Sequence, residues 1–328
     1  MKLLKYFLVV SLLAVFSYAD DISDNKETLK NLYEKVILKN ANKALEDIDA
    51  LKKSVLEKNT QKSKEDFAKL VKSWKSVQAF YLLGDLNEDF IDTPRYLDVF
   101  HNINEDITKQ LDRAIKSDDE VRIALFKNSL KSINALEYII AKKDIQNERV
   151  NKFALAIISK IESLLSEIDE EYKVQEKNFL SDIKKANSIT INTLIQSTYK
   201  LKEWRIGDII GETKKYQGKP DNNRAEYIIS KNSSNAIEAI LLTYKNIFNN
   251  KNYKDYGDYL LEITDGTQIE SLRKSIDKSL ELVKEIKDDN LLKTQDLYEE
   301  VSNIHVILFL EIIEELSINA KIIEADGD

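Results

Sequence analysis

Two nine-residue segments of the chain carry the same polar residues among apolar ones. Residues 132–140 read Ser-Ile-Asn-Ala-Leu-Glu-Tyr-Ile-Ile, and residues 233–241 read Ser-Ser-Asn-Ala-Ile-Glu-Ala-Ile-Leu. The pattern Ser-x-Asn-Ala-(Leu/Ile)-Glu thus occurs twice, 101 residues apart. Asn134 and Glu137, like Asn235 and Glu238, are spaced to project from one face of a helix. Unpaired polar groups are costly among apolar neighbours, so these four residues are the best candidates for chemistry.

The repeated pattern allows two interpretations. It indicates a degenerate internal duplication in which each half of the chain presents an amide and a carboxylate at an equivalent place. Alternatively, each pair belongs to a buried polar network that fixes the packing of two helices, because buried Asn and Glu need hydrogen-bond partners and can specify register.

Several kinds of site are excluded by composition. The chain has no Cys, so it has no thiol nucleophile, no thiolate metal site and no disulfide. Its two histidines, His101 and His305, do not form His-Glu-x-x-His, so a zincin-type site is absent. No glycine-rich nucleotide-binding motif occurs. We expect His101 to be a half-exposed histidine beside a turn.

The N-terminal sequence predicts an exported protein, and the net charge bears on its partners. Lys2 and Lys5, an apolar run over 6–16 and a small-x-small site at 17–19 form a signal peptide, residues 1–19. Its removal would change the formal net charge from −8 to −10. An acidic chain of this kind argues against nucleic acid as a partner. We expect a soluble periplasmic protein with no stable membrane anchor after cleavage.

Apolar residues at steps of three and four predict an all-α fold of two helical-bundle halves, with few Gly and Pro for a β-structure. Residues 20–143 form the N-terminal bundle, with helices over 27–56, 63–84, about 96–116 and 117–143. Residues 144–328 form the C-terminal bundle, with helices over about 145–175, around Leu194 to Trp204, around Asn235 and Glu238, and over 268–287 and 290–322. Trp74 and Trp204 are predicted core anchors, and residues 207–220 form a loop rich in Gly and Pro.

The order of four features resembles the imelysin family. They are the Trp74 helix running into Tyr81-Leu82-Leu83-Gly84-Asp85, the turn Ile91-Asp92-Thr93-Pro94, the segment Ser132–Tyr138, and the C-terminal Asp326-Gly327-Asp328. In the family, the third feature reads Gly-x-His-x-x-Glu followed by an aromatic residue. Here Asn134 replaces the motif histidine and Ser132 its glycine, whereas Glu137 is retained.

The resemblance implies an all-helical fold of two halves, a site near their junction and a cell-envelope protein tied to iron uptake. By the same alignment, Gln78 and Asp85 fall where relatives have Arg and Glu. The candidate metal ligands are therefore Glu137, Asn134 and Asp85, with Asn235 and Glu238 as second-repeat candidates. An Asn oxygen suits hard cations but is a weak ligand for Fe²⁺ or Zn²⁺, and it cannot take up a proton.

We therefore expect a non-catalytic periplasmic component that binds iron or another divalent cation, with envelope iron-uptake proteins as partners. One alternative is a metallopeptidase of the imelysin type with Glu137 as ligand or base, against which the missing histidine counts. A second alternative is an envelope scaffold with no metal site that contacts its partner through residues 207–220.

Overall fold

A computed structural model describes residues 25–102, 105–264, 266–316 and 318–319. The predicted signal peptide and the C-terminal Asp326-Gly327-Asp328 lie outside the described residues. Within the described ranges all regular structure is helical and no strand occurs, so the predicted all-α class is confirmed. None of these helices combines the length and the apolar character that crossing a membrane requires.

The helices of eight or more residues are numbered along the chain. They are α1 (Lys39–Leu56), α2 (Thr60–Ala79), α3 (Ile107–Lys116), α4 (Ile133–Lys142), α5 (Glu148–Phe179), α6 (Ile183–Lys202), α7 (Ser233–Phe248), α8 (Tyr256–Ile263), α9 (Thr267–Lys284) and α10 (Gln295–Val306). Residues 25–38 are also helical and lead directly into α1 through a π-helical segment, Tyr33–Leu38. A second π-helical segment, Glu203–Gly207, extends α6.

Side-chain caps define where several of these helices begin. Asn59, Asn147 and Asp182 lie immediately before α2, α5 and α6, and each accepts hydrogen bonds from backbone amides of the first turn. These amides have no partner within their own helix, so a short polar side chain at this position fixes the start of the helix.

The helices form two packed groups that share α2. In the first group, α1 packs against α2 and α5, and α4 packs against α2 and α5. In the second group, α7 packs against α9, α9 against α10, and α10 against α6. Helix α2 also packs along α7, so a single hydrophobic core runs through both groups. Residues 148–179 thereby pack with the N-terminal helices, and the predicted division at residues 143/144 stays a prediction.

The structure differs from the predicted helices in three places. The helix expected over 117–143 is a short helix, Val121–Ala124, a 3-10 turn, Ser129–Lys131, and α4, which begins only at Ile133. The helix expected over about 96–116 is a short helix, Thr93–Leu97, followed by irregular backbone before α3. Asp98 there has an extended backbone and turns its carboxylate into the interior. Helix α8 was not predicted from periodicity, and it begins with a capping box between Asp255 and Asp258.

Candidate functional site

A fully buried lysine lies at the junction of the two helix groups. Lys75 of α2 is 0% exposed, and its ammonium donates to Gln78 Oε1 at 2.7 Å and to the carboxylates of Asp98 and Glu226. Burying a single ammonium group is strongly unfavourable, so two carboxylates and an amide oxygen must surround it. Glu226 comes from the second half of the chain, and this contact therefore ties the two groups together.

A second buried cation completes this network. Arg205, 6% exposed, donates from Nε to Glu226 Oε2 at 2.7 Å and from Nη2 to Gln78 Oε1 at 3.0 Å. Burial opposes its charge, but the nearby Glu226 and Asp98 carboxylates hold the pKa of Arg205 above its usual value. Two cations and two carboxylates thus balance one another inside the protein.

The carboxylate of Asp98 accepts hydrogen bonds from four residues. Its Oδ2 accepts from Lys75, from Trp74 Nε1 at 3.0 Å and from the Tyr227 hydroxyl at 3.2 Å, and its Oδ1 accepts from the Phe100 amide at 3.0 Å. Burial alone would raise the pKa of Asp98, but the charge and hydrogen bonds of Lys75 hold it well below its usual range. Trp74 is fully buried, as predicted for a core anchor, and it also orients this carboxylate.

Glu137, the retained motif carboxylate, is buried beside this network. It is 4% exposed, and its Oε1 accepts from both the backbone amide and the hydroxyl of Ser230, each at 2.8 Å. Burial and, to a smaller extent, the nearby Glu226 raise the pKa of Glu137 to about 7 against the opposing effect of these hydrogen bonds. Glu137 therefore anchors the segment around Ser230 to α4.

The other two polar residues of the first motif also hold local structure. Ser132 caps α4, because its hydroxyl accepts from the Ala135 amide at 3.2 Å. The Asn134 Oδ1 accepts from the Val99 amide at 2.8 Å. Asn134 thus fixes the backbone next to Asp98, whereas Glu137 fixes a different segment of the chain.

The second copy of the motif has different partners. The N-terminus of α7 is capped by Asp289, whose two oxygens accept from the amides of Ser233 and Ser234 at 2.9 and 2.7 Å. Asn235 donates to Asn232 Oδ1 at 2.8 Å. The side chain of Glu238 is 23% exposed and pairs with Lys72 of α2 at 2.7 Å.

A pocket of about 470 Å³ lies against the buried network. Gln78 and Arg205 of the network line it, and Asp85 lies on its wall. Helix α6 contributes Gln196 and Lys200, among others. Of the candidate ligands named from the sequence, Asp85 is the one on this pocket.

The π-helical segment at the end of α6 positions two lining residues. A π turn is wider than an α turn and often occurs at functional sites. Here it places Trp204 and Arg205 side by side on the pocket wall. Trp204 is therefore only partly buried, unlike Trp74.

His101 supports this wall from the other helix group. Its ring stacks on Trp204, with centroids 4.7 Å apart and planes at 3°, and its Nε2 lies 3.1 Å from Asp208 Oδ2. Asp208 is buried and also accepts from the Thr213 hydroxyl at 2.6 Å. His101 has a φ of 60° and is partly exposed, in keeping with the predicted histidine beside a turn.

The part of the chain that the structure describes contains no group of three or more His, Cys, Asp or Glu residues placed to hold a metal ion. Asn134 and Glu137 have their oxygens Oδ1 and Oε1 directed at backbone amides of separate segments. The residues that line the pocket can therefore bind a ligand through hydrogen bonds and ion pairs, and Asp85 supplies one carboxylate.

Sequence reasoning did not identify Lys75, Asp98, Arg205 or Glu226. One signal was present for Lys75, which follows Phe67 and Val71 at steps of four and therefore lies on the apolar stripe of α2. A cation on such a stripe needs buried anionic partners. No local pattern marks the partners, because they come from loops and from the π turn.

These features define an all-helical protein with a pocket against a buried ion network. Residues 32–304 match the family model described as Imelysin, and the chain therefore belongs to the imelysin family. This confirms the family that the motifs indicated. A search of curated proteins finds no match.

Two solved structures share the fold. One is an imelysin-like protein from Psychrobacter arcticum 273-4, with a TM-score of 0.75 and 14% identity, covering 92% of this chain and 98% of that one. The other is described as a "putative iron-regulated protein A precursor" from Parabacteroides distasonis ATCC 8503, with a TM-score of 0.65 and 13% identity, covering 87% of this chain and 93% of that one. At such identities the likeness establishes the fold.

Proposed function

We propose that this imelysin-family chain is a non-catalytic, exported component of iron acquisition that binds an iron-containing solute in the pocket beside Gln78 and Arg205. The observation that carries the proposal is the pocket itself, about 470 Å³, bounded by side chains that a buried ion network holds in place. Pockets of this size accommodate small molecules, and fixed polar groups on their walls supply specificity.

The comparisons support a link to iron. The chain belongs to the imelysin family, and one protein of the same fold is described as iron-regulated. The N-terminal sequence has the composition of a signal peptide, which supports export to the periplasm. Envelope iron-uptake proteins are the partners that such a component would serve.

Asp85 is the proposed iron ligand on the pocket, because a carboxylate oxygen is a suitable ligand for Fe³⁺, a hard cation. Asn134 and Glu137 remain proposed ligands as well. Asn134 Oδ1 and Glu137 Oε1 already accept from the amides of Val99 and Ser230, so iron would compete with these hydrogen bonds or use the remaining lone pairs. Asn235 and Glu238 stay second-repeat candidates, and Glu238 would have to release Lys72.

The test combines cells and purified protein. A strain lacking the gene should take up less radioactive iron under iron starvation, and the full-length gene should restore the uptake. The mature protein should appear in the periplasmic fraction and bind iron in equilibrium dialysis. Unchanged uptake in the deletion strain would refute the proposed role.

A matched pair of variants tests the role of Asp85. Asp85→Asn removes the carboxylate on the pocket, whereas Asp89→Asn makes the same change at an exposed position four residues away. We expect iron binding to weaken in Asp85→Asn alone. Equal iron binding by both variants would remove Asp85 from the proposed ligands.

A further inference from the structure

The orientation of the Gln78 amide is determined by its neighbours. Its Oε1 accepts from Lys75 Nζ at 2.7 Å and from Arg205 Nη2 at 3.0 Å. Lysine and arginine side chains are donors only, so the oxygen must face them and the amino group Nε2 must point away. Among the described residues none accepts a hydrogen bond from Nε2, and Gln78 lines the pocket.

Arg205 presents a second donor beside it. Its Nε and Nη2 donate within the network, and no described residue accepts a hydrogen bond from Nη1. The guanidinium carbon lies 5.7 Å from the Phe100 ring centroid, so the group is also held by an aromatic ring. A nearly buried, positively charged donor therefore meets the pocket next to the Gln78 amino group.

The charged residues of the pocket wall favour the same kind of ligand. They comprise three cations, Arg95, Lys200 and Arg205, against the single carboxylate of Asp85. Glu226 balances Arg205, and Arg95 lies 3.4 Å from Asp92, so the wall supplies cationic side chains rather than a net positive charge. Cationic side chains on the wall offer charge-assisted hydrogen bonds to a ligand carboxylate.

From these observations we propose that the pocket recognises a carboxylate-bearing organic anion. Arg205 Nη1 and Gln78 Nε2 form a pair of fixed donors for its oxygens, and Arg and an adjacent amide match the planar geometry of a carboxylate. A bare cation bound between Arg205 and Gln78 would face two hydrogen-bond donors and the positive charge of the guanidinium, which would repel it. If the proposed function holds, iron therefore enters as its anionic ferric polycarboxylate complex, and Asp85 faces the metal.

The first test is isothermal titration of the mature wild-type protein with succinate, malate, citrate and ferric citrate, and with a ferrous salt as the cationic probe. We expect at least one of the carboxylates to bind, with an affinity that falls as salt is added. Tighter binding of ferric citrate than of citrate would assign the chelate as the ligand, and the reverse would assign the free acid. If no carboxylate binds at millimolar concentration, the proposal is wrong.

The Gln78→Glu variant removes the Nε2 donor without removing the network. One glutamate oxygen can still accept from Lys75 and Arg205, whereas the other places an acceptor where Nε2 was. We expect the helical content to be kept and the carboxylate affinity to fall about tenfold or more, because a charge-assisted hydrogen bond is replaced by repulsion. Wild-type affinity in the folded variant would place the anion elsewhere and overturn the assignment.

A second pair of variants tests the wall charge. Lys200→Ala should weaken carboxylate binding several-fold, whereas Lys185→Ala, the same change at an exposed position of α6, should not. Equal effects of the two substitutions would contradict a local site. Carboxylate binding without an iron-uptake defect in the deletion strain would refute the proposed function alone, and an uptake defect without carboxylate binding would refute this inference alone.

Discussion

The two copies of the Ser-x-Asn-Ala-x-Glu motif share their polar residues but differ in burial and in hydrogen-bond partners. In α4, Glu137 is buried, accepts two hydrogen bonds from Ser230 and lies near the ion network. In α7, Glu238 is partly exposed and pairs with Lys72. The difference teaches that the motif places an amide and a carboxylate on one face of a helix, while the packing of the helix decides what that face does.

Two lysines of α2 make this contrast measurable. Lys75 belongs to the buried network, and Lys72, three residues earlier, belongs to the partly exposed pair with Glu238. We expect Lys75→Met to lower the free energy of unfolding by about 3–5 kcal/mol, because it leaves two buried carboxylates with one cation. Lys72→Met should cost about 1 kcal/mol or less, as is usual for exposed pairs. Urea denaturation of both variants checks this, and equal losses would mean that the network contributes no more than a surface ion pair.

The two glutamates give the next largest difference. Glu137→Ala leaves the amide and hydroxyl of Ser230 without their acceptor, so we expect a loss of about 2–3 kcal/mol. Glu238→Ala removes one partly exposed ion pair and should cost about 0.5–1 kcal/mol. The same denaturation measurement applies, and a larger loss for Glu238 would reverse the comparison.

The pH dependence of stability separates the contribution of Glu137 from others. Its folded pKa of about 7 lies above the usual value of 4.5, so between these pH values the folded state binds more protons than the unfolded state. The stabilising effect is fully present below about pH 4.5 and is lost as the pH rises through about 7. The difference in unfolding free energy between wild type and Glu137→Gln should therefore change over this interval.

Other groups titrate in the same range, which is why the comparison with Glu137→Gln is needed. Burial raises the pKa of Asp255 to about 6 and lowers that of His305 to about 4. Both residues are present in wild type and variant, so their contributions cancel in the difference. A difference that stays constant from pH 4.5 to 7 would contradict the raised pKa of Glu137.

Much of the fold could be predicted from the sequence, because helical periodicity is a local property. The helices around Trp74, Glu137 and Glu238 follow from apolar spacing, whereas their starts do not, because α2 begins at Thr60 and not at 63, and α4 at Ile133 and not at 117. The irregular backbone after Leu97 could not be predicted, because Asp98 leaves the helical pattern to reach Lys75. That contact depends on tertiary packing.

The site was predictable only in part for the same reason. The motif marked Glu137 and Asn134. The burial of Glu137 and the hydrogen bond between Asn134 and the Val99 amide agree with the expectation that the polar residues have specific partners. The pairing of Lys75 with Glu226, 151 positions away, leaves no trace in local spacing. The one local indication of such a partner is the position of Lys75 on the apolar stripe of α2.

The smallest expected effect concerns metal binding by the motif. Asn134→His restores an imidazole at the position where the family has one, next to Glu137. Nitrogen ligands suit Fe²⁺ and Zn²⁺ better than an amide oxygen, so the affinity for these ions should rise several-fold. Asn235→His makes the same change in the second copy, where the neighbouring Glu238 is held by Lys72, and should have no effect. Isothermal titration compares the two variants with wild type.

Adding Glu137→Ala to Asn134→His should abolish the gain, because the charged oxygen ligand is then missing. If Asn134→His folds and binds no better than wild type, the first copy of the motif is a structural polar network, as the hydrogen bonds to Val99 and Ser230 already allow.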